Sequence, residues 1–165
     1  MRGVRSLWVL LAAYGLQPVA LRKPRIREMH DLEVRYRGKH VAYVRVFEGR
    51  QPYYRAWVEV YGVNWRLAKG PLERMLLSAI YNTLEPGEHV YVEYVGDWVT
   101  EGQLERGVPP ERTRLGKIMA SVGFVAITDM YYPEGFMEGG PKLRARKPFP
   151  REARVRQDKG RRSHR

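Results

Sequence analysis

The chain has 165 residues and a mass of 19.3 kDa, which suits one domain and leaves little room for two. Hydrophobic residues make up 44% and charged residues 29%, so the chain can build a core and is not disordered throughout. The absence of cysteine excludes disulfides, cysteine-ligated metals and a cysteine nucleophile. No apolar run approaches the roughly 20 residues of a membrane span, and four histidines without i,i+4 spacing predict no metal site.

The net charge of +12 is concentrated at one end of the chain. Residues 142–165 hold eleven Lys or Arg against two acids, so residues 1–141 carry only +3. Beyond Pro148 there is almost no apolar residue, and we expect a disordered basic tail over 148–165 after a single domain at 1–147. Such a tail either contacts phosphate backbones without sequence specificity or only adds solubility.

The first apolar segment resembles a secretory signal, because Arg2 and Arg5 precede the run from Leu7 to Ala13. No small-x-small cleavage site follows it, and its large apolar residues repeat at helical spacing as far as Tyr14. We therefore expect a short buried helix and a cytoplasmic protein.

Alternating apolar and polar residues predict an antiparallel meander of three strands. Residues 31–47 are typical of a hairpin with Gly38-Lys39 at its turn. Residues 53–63 predict a third strand, one face of which carries Arg55, Trp57, Glu59 and Tyr61.

Helical periodicity then takes over, and the clearest amphipathic helix begins at Pro71 and stops at Glu85-Pro86-Gly87. The remaining elements are a strand at 89–95, a short helix with a Thr100–Gln103 capping box, a helix from Pro109-Pro110 to Gly123, a strand at 124–131 and a short final strand near Leu143. This order predicts an α/β (α+β) fold with a mixed, mainly antiparallel sheet flanked by helices.

The element order over about residues 30–132 resembles the N-acetyltransferase (GNAT) superfamily, an acyl-CoA N-acyltransferase fold. In that family a loop of the form Arg/Gln-x-x-Gly-x-Gly/Ala precedes a helix, and its amides hold the cofactor pyrophosphate. The stretch RLAKGPLERMLL, beginning at Arg66, matches this region, with Lys69 and Pro71 in place of the two glycines. The resemblance implies acetyl-CoA or another acyl-CoA, held where the sheet parts, with these binding residues: Val63, Arg66, Lys69, Gly70 and Leu72.

The resemblance also implies where acid–base chemistry would lie. Val122-Gly123-Phe124 matches the family's second signature, but Met119 stands where the family usually has a tyrosine general acid. Glu59 and Glu93, on the fourth and fifth strands, are the candidate catalytic residues, with Glu93 as the base for an acceptor amine. The alternative for each is a solvated or salt-bridged carboxylate.

Three further segments resemble an uncharacterised archaeal family related to the acetyltransferases: VEYVGD from Val92, TRLG from Thr113, and PEG-x-x-EGG-x-K from Pro133. Membership implies the same fold and no established activity. Asp97, Glu134 and Glu138, beside Glu93, are the candidate acceptor-binding residues, forming an acidic mouth for the amine of a small molecule or a protein. Scattered surface acids are the alternative.

Three functions therefore stay open. The first is an acyl-CoA-dependent N-acyltransferase or a CoA-binding relative. The second is a catalytically inactive interaction module on the same fold, which a gap filled by Trp65 or Trp57 would favour. The third is a nucleic-acid or ribosome-associated protein acting through its basic tail. We expect no membrane partner, and aromatic residues on one strand face indicate either a homodimer surface or a second layer of core.

Overall fold

The computed structural model describes residues 1–21, 27–49, 55–135 and 137–153. Within those ranges the elements are α1 (Val4–Ala13), β1 (Gln17–Ala20), β2 (Met29–Tyr36), β3 (Lys39–Phe47), β4 (Trp57–Tyr61), α2 (Trp65–Ala68), α3 (Pro71–Thr83), β5 (His89–Glu93), α4 (Trp98–Glu105), a 3₁₀ turn (Pro110–Arg112), α5 (Arg114–Val122), β6 (Val125–Tyr132) and β7 (Gly140–Arg146).

The strands form one sheet in the order β1-β2-β3-β4-β5-β7-β6. Every neighbouring pair is antiparallel except β4 and β5, which run parallel and are joined by α3. The expectation of a mixed, mainly antiparallel sheet is confirmed. The final strand is longer than predicted and inserts between β5 and β6.

The sheet has one apolar and one polar face, because side chains alternate along each strand. The apolar face packs against α1, α3 and α5 in a single core, which includes Val44, Val60, Val92 and Leu143 from the strands and Leu11, Leu76 and Met119 from the helices. The opposite side is called the polar face below. One cross-strand row of it runs through Asp31, Arg45, Glu59, Tyr91 and Arg144.

The β2–β3 hairpin turns one residue earlier than expected. Tyr36 pairs with Lys39, so the two turn residues are Arg37 and Gly38, with φ of 49° and 76°. Positive φ at both central positions defines a type I′ turn, which matches the twist of the flanking strands. β1 was not predicted, because four residues containing Pro18 carry no clear alternation.

The predicted helices keep their order, but α4 and α5 begin at residues other than those expected. α3 starts at Pro71 as expected, and Leu7 and Leu11 of α1 are buried. α4 begins before the predicted capping box, because the Asp97 side chain accepts the Thr100 amide. Pro110 opens a 3₁₀ turn rather than a helix, and α5 follows it.

The predicted tail lies partly within the described residues. Residues 150–153 form a helical turn, in which the Glu152 carboxylate accepts hydrogen bonds of 2.7 and 2.9 Å from Arg146. Residues 154–165 lie outside the described residues, as do Tyr53 and Tyr54 of the third predicted strand. In the part of the chain that is described, no helix has the length and apolar character to cross a membrane.

Candidate functional site

The candidate site lies where β4 and β5 end side by side. Trp65, just after β4, is only 6% exposed, and its indole N–H donates a 2.9 Å hydrogen bond to the Val95 carbonyl just after β5. The Glu93 carboxylate accepts the Gly62 amide at 3.4 Å, which links the same two strand ends. Two side chains, those of Trp65 and Glu93, therefore link the strand ends where the resemblance expects a gap.

The amides of residues 67–70 are paired within the chain. Those of 67–69 donate to the carbonyls of residues 64–65 at 2.8 to 3.2 Å, and the Gly70 amide donates to Glu73 Oε1 at 3.0 Å. Pro71 has no N–H to offer. The expectation of free amides across this loop is therefore wrong for residues 67–70.

Glu73 belongs to a buried ion network that the sequence did not predict. Arg114 donates to the Glu73 carboxylate at 2.6 and 3.0 Å and to Asp97 Oδ2 at 2.7 Å. The guanidinium also lies 5.5 Å from the ring centroid of Trp65, and Lys69 Nζ is 3.6 Å from Asp97. The network therefore joins the loop before α3 to the starts of α4 and α5.

The network shifts the pKa of two of its members, Asp97 and Arg114. Burial alone would raise the pKa of Asp97, but hydrogen bonds from Arg114 and Thr100 outweigh it and hold that pKa below its ordinary value. The two carboxylates raise the pKa of Arg114 against its own desolvation. The contacts of Arg114 therefore favour the charged forms of Asp97 and of the guanidinium itself.

An acyl-CoA pyrophosphate does not fit these residues. The first turn of α3, where the resemblance places that anion, already holds the Glu73 carboxylate, which would repel it. Of the remaining candidate cofactor residues, Arg66 is exposed, Val63 is half-buried and Leu72 lies in the core. Only Arg66 and Lys69 present a positive charge from this loop.

The two predicted catalytic carboxylates meet at a lysine on the polar face. Lys142 on β7 and Glu59 on β4 are both fully buried. Lys142 Nζ lies 2.9 Å from Glu59 Oε2, but the angles of this contact do not meet those of a hydrogen bond. Glu93 Oε2 lies 3.8 Å from the same nitrogen. The alternation of charged and apolar residues in GPKLRAR is the sequence signal that would have placed Lys142 on a strand.

Glu59 is shielded from any substrate. Burial raises its pKa, whereas Lys142, the Glu138 amide at 3.0 Å and Arg45 act in the opposite direction. A carboxylate that is 0% exposed and paired with an ammonium cannot reach an acceptor amine. Glu93 keeps 19% of its side chain exposed and is the more accessible of the two.

The candidate acceptor residues do not gather into one acidic mouth. Asp97 is fully buried and committed to Arg114 and Thr100. Glu138 is 48% exposed at the loop that covers Glu59, with its carboxylate 3.7 Å from Arg45. Glu134 is exposed on the same loop. Among the residues described, no group of three or more His, Asp or Glu side chains is placed to hold a metal ion.

Comparisons with known proteins give a family and no activity. The chain is similar to a crystal structure of a protein of unknown function, AQ1966 from Aquifex aeolicus VF5, with 33% identity and a TM-score of 0.71. That match covers 90% of this chain and 79% of the other. No curated protein matches the sequence. Residues 13–163 match the model described as "Protein of unknown function (DUF1122)", and the chain therefore belongs to the DUF1122 family.

Proposed function

We propose that this chain is a non-catalytic binding protein built on an acetyltransferase-like scaffold. The scaffold part is supported by the strand order, by the single parallel pair β4–β5 among the described strands, and by the loop and helix that connect them. The non-catalytic part is supported by the side chains that occupy the position where a GNAT enzyme needs an open site.

One observation carries the proposal, the position of the Glu73 carboxylate. It accepts the Gly70 amide and two hydrogen bonds from Arg114, so it takes one backbone donor and one guanidinium that could otherwise face a phosphate. A pyrophosphate that displaced it would leave the nearly fully buried Glu73 carboxylate without these donors, which is strongly unfavourable.

The candidate catalytic groups support the same conclusion. Glu59 is enclosed with Lys142, and Met119, where the resemblance expects a tyrosine, is fully buried. A thioether cannot donate a proton to a leaving thiolate. Within the described ranges, the amides of residues 67–70 therefore have partners in the chain, and a methionine stands where the resemblance expects the general acid.

Calorimetric titration of the full chain with CoA and acetyl-CoA tests the proposal. We expect no saturable heat at about millimolar cofactor, since a dissociation constant of 1 mM corresponds to only about 4 kcal/mol. The variants Lys69→Ala, in the candidate loop, and Lys117→Ala, at an exposed position of α5, are the matched pair. Saturable binding that is weakened by Lys69→Ala but not by Lys117→Ala would overturn the proposal.

That overturning result would favour the second candidate, an acyl-CoA-dependent N-acyltransferase with Glu93 as its base. The parallel β4–β5 pair and the partial exposure of Glu93 favour it. Acetyl transfer to an amine, lost in Glu93→Gln, would be its decisive assay.

A further inference from the structure

The polar face carries a cluster of arginines and aromatic rings at the end of β5 away from Lys142. We call Arg55, Trp57, His89, Tyr91 and Arg144 the basic–aromatic surface. Trp57 is in register with His89, and Tyr91 is in register with Arg144, so these side chains occupy neighbouring positions on three strands. Arg55 precedes β4 by two residues and is exposed.

The positive charge of this surface has no described carboxylate as a partner. Within the described ranges, no carboxylate pairs with Arg55 or Arg144, whereas the nearby Arg146 is paired with Glu152. The pKa of His89 is lowered by burial and by the charges of Arg144, Arg146 and Arg55. The positive charges of three arginines therefore act on His89, and a bound anion would offset them.

The aromatic rings of the surface are half-buried and packed against one another. Trp57 and Tyr91 meet edge to face with centroids 6.0 Å apart, and Phe47 stacks on the other side of Trp57 at 5.5 Å. His89 stacks with Tyr91 at 6.2 Å. Tyr132 also meets Tyr91 edge to face at 5.3 Å, and both Trp57 and Tyr91 keep part of their surface exposed. A partly exposed ring beside an arginine suits a nucleobase that is attached to a phosphate.

The chain adds further positive charge after β7, which ends beside His89. Glu152 ties the helical turn at 150–153 to Arg146, whose β7 position is in register with His89. From residue 154 onward the chain contains six Lys or Arg and one Asp. A polyanion on the basic–aromatic surface would therefore be close to the start of the basic tail.

We propose that the basic–aromatic surface binds single-stranded nucleic acid, with phosphates against Arg55 and Arg144 and bases against Trp57 and Tyr91. This inference rests on the proposed function, because it names the partner class of the binding protein. An acidic protein segment would use the arginines but not the rings, which is why nucleic acid is the better match.

Fluorescence anisotropy with a labelled oligothymidylate of ~12 nucleotides and the full chain tests the inference. We expect saturable binding that weakens steeply with salt. An abasic oligonucleotide of equal length measures the contribution of the bases, and we expect it to bind at least about fivefold more weakly, as stacking on rings requires. Equal affinity for both oligonucleotides would overturn the placement of bases on Trp57 and Tyr91.

The charge-matched variants are Arg55→Gln/Arg144→Gln on the surface and Arg112→Gln/Lys117→Gln at the exposed start of α5. The first pair should lose at least about tenfold in affinity, with a salt slope smaller by about 1.4 for two lost phosphate contacts. The second pair should change affinity by less than about threefold. Equal effects of the two pairs, or loss of binding only on truncation after Ala153, would overturn the proposal.

The pH dependence provides a second readout of the same site. His89 faces Arg144 and Arg146 of β7, Arg55 before β4, and the rings of Trp57 and Tyr91. A phosphate beside it favours the imidazolium, so affinity should rise as pH falls from about 8 to about 6. His89→Gln should flatten this rise, and His40→Gln should not. Saturable CoA binding would contradict only the non-catalytic proposal, whereas these variants test the basic–aromatic surface itself.

Discussion

Arg114 and Glu73 join the first turns of α5 and α3 through two hydrogen bonds of 2.6 and 3.0 Å. A guanidinium at the first residue of a helix is unfavourable, because the positive end of the helix dipole lies there. Its presence is explained by the two carboxylates that it contacts, Glu73 and Asp97, which are nearly or fully buried. The Arg114–Glu73 ion pair therefore holds the first turn of α3 against the first turn of α5.

Removing Arg114 should destabilise the protein more than its partial exposure suggests. Arg114→Met leaves Glu73 and Asp97 without their shared cation, and we expect a loss of about 3 kcal/mol in the free energy of unfolding. Chemical denaturation measures the loss. Arg74→Met is the control, since Arg74 is exposed and its guanidinium donates to the exposed Ser121 hydroxyl. A loss below about 1 kcal/mol in Arg114→Met would contradict the network's structural role.

Gly116 and Gly102 provide a matched test of packing at the start of α5. A Cβ at Gly116 would lie 1.9 Å from the Pro110 carbonyl oxygen, so Gly116→Ala should cost at least about 2 kcal/mol. A Cβ at Gly102 in α4 would meet only the flexible end of Arg106 at 3.2 Å. Gly102→Ala should therefore stabilise the protein by up to about 1 kcal/mol. Thermal unfolding compares the two, and similar losses in both would refute the packing argument.

Lys142 and Glu59 should behave as a coupled buried pair. Lys142→Met leaves a buried carboxylate without its cation, and we expect a loss of about 3 to 5 kcal/mol of stability. Adding Glu59→Gln should recover part of that loss, because no charge then stays buried between β4 and β7. Denaturant titrations of both variants measure the coupling energy, and additive losses would show that the pair is not coupled.

The Lys142→Met variant should also respond to pH with a defined sign. Burial then raises the pKa of Glu59 without an opposing ammonium, so the folded state binds a proton more tightly than the unfolded state. Stability from that group is present at low pH and is lost as pH rises through the folded-state pKa. Unfolding followed between about pH 5 and pH 8 should show falling stability with rising pH. The same series on Lys142→Met/Glu59→Gln should be flatter.

The elements could be predicted where a local pattern carries the information. The three- and four-residue repeat after Pro71 predicts α3, and alternation predicts the β2–β3 hairpin. β1 was missed because it pairs only with β2, through four residues whose sequence carries no period. The insertion of β7 between β5 and β6 is a long-range pairing that no local signal encodes.

The candidate site could be predicted only as separate residues. Glu59 and Glu93 were identified on the correct strands, but the lysine between them lies far along the chain on β7. The partner of Glu73 is 41 residues away. The sequence around Pro71 therefore predicts an acidic residue in the first turn of the helix, but it does not predict the arginine that pairs with it. The TRLG segment singled out by resemblance proves structural: Thr113 caps α5, and Leu115 lies in the core.

The most direct test of the account follows two N–H groups by NMR during a CoA titration of isotope-labelled full chain. The Trp65 indole and Gly70 amide are the protons that already have partners, at Val95 and Glu73. We expect a slowly exchanging Trp65 indole and no saturable shift of either resonance with CoA. Rapid solvent exchange at that indole, together with saturable shifts of both signals, would show that the loop opens to the cofactor and would contradict the account.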